Sequence, residues 1–124
     1  KHQTFESELV PDIYVVGDAT VAAPMPKSGF SANAQAKVAA AAIVNALAGR
    51  PAADASFANT CYSLIAPDYG ISVAHTYLLK DGKIAEASGG VSPADASDSF
   101  RKLEAEYGES WYKAIAQDTW GTRA

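Results

Sequence analysis

Three places in this sequence hold side chains whose types and spacing could do chemistry. Gly17-Asp18-Ala19 follows an apolar run and leads, through a loop, to a long helical pattern. A strand end that feeds a helix N-terminus is where α/β folds bind dinucleotides, because N–H groups and the helix dipole favour negative charge there. An aspartate at that position can accept hydrogen bonds from a sugar hydroxyl; the same tripeptide also makes ordinary turns. Cys61, the single cysteine, rules out an internal disulfide framework and a Cys-rich metal site, and no metal site is expected. A lone thiol is either a small buried hydrophobe or a nucleophile. His75, on the apolar face of a strand pattern, reads as a satisfied core or interface histidine.

The elements that must position these groups follow from periodicity. Ile13-Tyr14-Val15-Val16 is apolar without alternation, as in a parallel strand buried between layers. No second βα unit follows, so its sheet neighbours are expected elsewhere, in a longer chain. A helix is predicted from Ser31, as N-cap, to Ala48, with Gly49-Arg50-Pro51 as its stop. Its Ala-rich surface, apolar almost all round from Val38, predicts burial on several sides. Pro51 to Asn59 reads as a linker, Thr60 to Ala66 and Gly70 to Leu79 as strands. Asp81-Gly82 signals a hairpin into Lys83-Ile84-Ala85, because both turn positions need positive φ. Gly89-Gly90 closes this small antiparallel sheet. Ser92-Pro93-Ala94-Asp95 predicts a capped helix from Ala94 to Asp118, with Phe100, Leu103, Tyr107 and Trp111 in helical register. Tyr107, Trp111, Tyr112 and Trp120 are expected to pack this helix onto the sheet, or in part against a partner.

Composition narrows the field. With 124 residues, 48% of them hydrophobic, the chain suits an α+β fold with an ordinary core. A net charge of −4 without a basic cluster argues against nucleic acid. The longest apolar stretch, Val38 to Val44, is too short to span a bilayer. The chain opens on Lys1-His2-Gln3 rather than Met, so a leader on a longer precursor would not be visible.

Longer strings are more specific. Ile13-Tyr14-Val15-Val16-Gly17-Asp18-Ala19 resembles the second FAD-contacting motif of the pyridine nucleotide–disulfide oxidoreductase superfamily. The segment Pro24 to Val38 is similar to its sulfide dehydrogenase and sulfide:quinone reductase branch. Asn59-Thr60-Cys61-Tyr62-Ser63, Ala66-Pro67-Asp68-Tyr69-Gly70-Ile71-Ser72, Ser110-Trp111-Tyr112 and Asp118-Thr119-Trp120-Gly121 resemble the flavoprotein subunit of flavocytochrome c sulfide dehydrogenase.

That resemblance implies a fold: residues 1–50 as the last strand and helix of an FAD-binding, Rossmann-like domain, and residues 51–124 as a C-terminal interface domain. It implies FAD as cofactor, with Gly17 and Asp18 at the ribitol and Pro26, Lys27 and Ser28 near the pyrimidine edge of the flavin. It implies that Cys61 belongs to a redox-active disulfide that receives the sulfide sulfur, its partner lying outside this sequence. A c-type cytochrome subunit and the rest of the flavoprotein chain follow as partners, and the periplasm as location. The first FAD motif is absent here, so the isolated chain is expected to hold no stoichiometric FAD and to be inactive. Two other readings stand beside this one: a non-catalytic interaction module, and a sulfide:quinone reductase-like flavoprotein. An exposed first strand and Ala-rich helix would also favour a homodimer.

Overall fold

The computed structural model describes residues 1–121. Its elements run α1 (Gly29–Leu47), β1 (Ser56–Ala66), β2 (Tyr69–Lys80), β3 (Lys83–Val91) and α2 (Asp98–Trp120), after a 3-10 turn at Gly17–Ala19. The strands form one antiparallel sheet in the order β1-β2-β3. The chain divides into two compact units: residues 1–60 with 74–89, and residues 61–73 with the described residues from Gly90 on.

In the first unit, Phe5, Ala22, Met25, Ala39, Phe57, Tyr77 and Ile84 form the core, with Tyr14, Val16 and Val38 packed against it. Phe5 meets Phe57 edge-on, ring centroids 5.7 Å apart. That contact explains why β1 begins at Ser56, inside the segment expected as a linker: Phe57 is drawn into the core and takes its neighbours with it. The hairpin turn is as expected, with Asp81 at φ 52° and Gly82 at φ 75°. β3, however, continues through Gly89-Gly90 to Val91.

Ile13 to Val16 is not a sheet strand. The segment is extended, but its pairing is one antiparallel bridge between Glu6 and Tyr14. Ile13 is 52% exposed. A parallel ladder needs a neighbouring strand, and among the described residues no strand runs beside it.

Helix α1 starts before the expected cap. Ser28, not Ser31, is the N-cap, its side chain accepting from Ser31 N at 3.0 Å. The expected stop is present as a Schellman motif: Gly49 N donates to Ala46 O, Arg50 N to Asn45 O, and Gly49 takes φ 66°. Burial is confined to one face, Ser31, Gln35, Ala39 and Ala42, while Val44 and Leu47 are exposed. The expectation of burial on several sides fails because this chain supplies cover along a single helical stripe.

In the second unit, helix α2 begins later than expected. Ser97 is its cap, accepting from Phe100 N at 3.3 Å. Ser92 and Pro93 lie before it, and Asp95 makes no capping box. The helix turns Arg101, Glu104, Ala105 and Gly108 inward. Tyr107, Tyr112 and Trp120 stay exposed, and Trp111 alone of the four expected aromatics packs on the sheet, beside Tyr62. Two glycines account for this choice of face. A Cβ at Gly70 on β2 would lie 2.5 Å from Ala105 N, and one at Gly108 would lie 3.3 Å from Tyr62 Cβ. Backbone approaches backbone where side chains are smallest.

Candidate functional site

The first unit gathers most of the residues singled out by sequence at the N-terminus of α1. Gly17, Pro26, Lys27 and Ser28 line one cavity of about 180 Å³, together with Thr20, Met25, Ser31 and Gln35 among others. Gly17 sits at φ 69°, a conformation glycine adopts without steric penalty. Its N–H donates to Gln35 Oε1 at 2.7 Å. Gln35 is 2% exposed and reaches Met25 Sδ with its amide nitrogen at 3.9 Å. This buried glutamine fixes the Gly17 turn to the second turn of α1. Its type and position gave no sign of that in the sequence.

Asp18 is exposed at the crest of the 3-10 turn and is not one of the residues lining the cavity. Lys27 Nζ donates to the Asp18 backbone oxygen at 2.7 Å, so the ammonium is held over the turn and close to the positive end of α1. Such an arrangement favours a ligand edge that carries negative charge.

Below the cavity, Asn59 anchors the helix start. It is 1% exposed, and its Oδ1 accepts from Ser28 Oγ at 2.5 Å and from Ser31 Oγ at 3.1 Å. Replacing Asn59 by Ala leaves both hydroxyls without that acceptor, and is expected to cost about 2 kcal/mol in urea unfolding. Ser28→Ala, which removes the cap, is expected to cost about 1 kcal/mol in the same measurement. A larger loss from Ser28→Ala than from Asn59→Ala would show that the cap, not the amide, secures this corner.

Cys61 belongs to the second unit. It is an exposed thiol on β1 and does not line the α1 cavity. His75, in the first unit, is half-buried. Its Nε2 lies 3.7 Å from Glu86 Oε1 and its ring 6.2 Å from that of Tyr77, consistent with the packing role expected for it.

A second polar cluster was not anticipated. Glu104 Oε1 accepts from Ser72 Oγ at 2.7 Å and from Ser92 Oγ in a very short hydrogen bond. Its other oxygen faces Arg101 Nη1 at 3.3 Å. Arg101 also donates to Pro93 O and stacks 5.4 Å from the Tyr69 ring centroid. Burial pushes the Glu104 carboxyl up, but the Ser92 and Ser72 hydroxyls and the Arg101 guanidinium outweigh it and leave the pKa lowered. The cluster ties the connection after β3 to α2. The sequence reading assigned Ser92 to a cap, which hid it.

Among the described residues, no group of three or more His, Cys, Asp or Glu side chains could hold a metal ion, and no helix is long and apolar enough to cross a membrane. A family model described as flavocytochrome c sulphide dehydrogenase, flavin-binding, matches residues 53–120. The match takes in Cys61, all three strands, α2 and the Glu104 cluster, over more than half of the sequence; the chain belongs to the flavocytochrome c sulphide dehydrogenase flavin-binding family.

Proposed function

We propose that this chain is part of an FAD-dependent sulfide dehydrogenase that passes electrons to a c-type cytochrome subunit in the periplasm. The observation that carries the reading is the family match over residues 53–120, a flavin-binding segment that includes Cys61. The cavity at the start of α1 supports it independently, because Gly17, Pro26, Lys27 and Ser28 converge there. At about 180 Å³ it falls below the ~300–1,000 Å³ of a pocket that encloses a whole ligand. Its residues fit one polar edge of a flavin.

A bound flavin would accept the electron pair of one sulfide and release single electrons to haem. In this reading the chain's own groups have separate duties. Lys27 and the N-terminus of α1 favour negative charge at the pyrimidine edge. The exposed Asp18 carboxylate accepts hydrogen bonds from ribitol hydroxyls. Cys61 would be held in a disulfide with a second cysteine outside this sequence; sulfide attacks Cys61 Sγ, and the new S–S bond forms as the disulfide breaks and the second cysteine leaves as a thiolate. The first fifty residues act as a piece of the FAD-binding domain, with α1 as its helix.

The test uses the full-length flavoprotein with its cytochrome subunit. Cys61→Ser is expected to abolish sulfide-dependent cytochrome reduction while leaving the flavin absorption spectrum in place. Asp18→Ala is expected to weaken flavin retention by the ~1.5–3 kcal/mol of a charge-assisted hydrogen bond. Undiminished turnover in Cys61→Ser would remove the thiol from the reaction, whereas no sulfide-dependent cytochrome reduction by the wild-type complex would leave the interaction-module reading in its place.

A further inference from the structure

Helix α2 carries its apolar stripe on the outside. Phe100, Leu103 and Tyr107 are 41%, 39% and 52% exposed, and Ser110, Ala114 and Gln117 continue the same line, also exposed. The spacing alternates three and four, so these six residues occupy the a and d positions of a heptad seam. Large residues fill its first half and small or polar ones its second. Glu106 and Lys113, both exposed, flank the seam on the same side, at successive g positions.

From this pattern we propose that α2 is a self-recognition surface, pairing antiparallel with α2 of a second copy of the chain about a two-fold axis near the middle of the helix. Antiparallel seams set each a residue against a partner d residue. Tyr107 then faces the partner's Ser110, Leu103 the partner's Ala114 and Phe100 the partner's Gln117, so every bulky side chain meets a slimmer one. The same register sets Glu106 against the partner's Lys113, and symmetry makes the pair twice. A parallel pair would stack Phe100 on Phe100 and Gln117 on Gln117, and would set Glu106 beside Trp111. The charge pattern and the taper of the seam both select the antiparallel form. Helix dipoles, opposed in that form, act in the same direction.

Sedimentation equilibrium of the 124-residue chain tests the proposal, with far-UV circular dichroism confirming unchanged helix content in each variant. Wild-type chain is expected as a dimer of the 12.9 kDa species at micromolar concentration. Glu106→Lys and Lys113→Glu each place like charges opposite one another, and each is expected to weaken self-association at least ~10-fold. Mixing the two single variants restores both attractive pairs in a heterodimer, as does the Glu106→Lys/Lys113→Glu double variant in a homodimer. Leu103→Asp, which keeps Glu106 and Lys113 but puts a carboxylate into the apolar seam, is expected to give a monomer. A wild-type monomer throughout, a dimer indifferent to the single substitutions, or failure of the mixture to associate would each overturn it.

Discussion

Gly70→Ala is expected to destabilise the chain by about 3 kcal/mol or more, the high end of overpacking. The added methyl would sit 2.5 Å from Ala105 N, 2.8 Å from Glu104 C and 2.9 Å from Ala105 Cα. All three are main-chain atoms of α2, so no rotamer change can make room. The helix must move off β2, and the Ser72–Glu104 hydrogen bond and the Tyr62–Trp111 contact would loosen together. Urea unfolding followed by circular dichroism measures the loss. Gly90→Ala is the control, since a Cβ there meets nothing within 4 Å. If the two substitutions cost the same, close packing at Gly70 is not what holds α2.

Glu104→Gln is expected to cost about 3–5 kcal/mol at neutral pH, because it leaves the Arg101 guanidinium buried without its counter-charge. Arg101 is 3% exposed, and its Nε already lacks a hydrogen-bond partner among the described residues, so little water is available to compensate. The pH dependence has a definite sign. The folded pKa of Glu104 lies below the ordinary value of 4.5. Its stabilisation is therefore fully present above that value and is lost as the pH falls through the lowered one. The gap between wild type and Glu104→Gln should thus be widest at neutral pH and narrow in acid. Glu6, whose pKa is also lowered by Lys1, is the same in both proteins and cancels from the difference. Replacing both partners, Arg101→Met with Glu104→Leu, should recover much of the stability, because no buried charge is left. A gap that stays constant across pH would show that the carboxylate charge contributes nothing.

Local rules made much of this protein legible in its sequence. The Asp81-Gly82 turn, the Gly49 stop of α1, the three strands and a long C-terminal helix all rest on residues acting within a few positions of themselves. The grouping of Gly17, Pro26, Lys27 and Ser28 came from the family resemblance, and their convergence on one cavity is a local matter, since a turn, a short loop and a helix start are neighbours along the chain. Partners distant in sequence decided the rest. Ser92 looks like a cap, but Glu104 and Ser72 offer it a buried carboxylate and a backbone to bridge, and the helix begins at Ser97 instead. The apolar stripe of α2 looks like a core face, yet the contact goes to Gly70 and Gly108, where backbones can approach. Ile13 to Val16 reads as a buried strand because its side chains are apolar. A strand, however, is defined by the neighbour it bonds to, and that lies in no local pattern. Gln35 and Asn59, which fix the corner of the cavity, are ordinary polar residues until the fold brings Gly17 and Ser28 within hydrogen-bond reach.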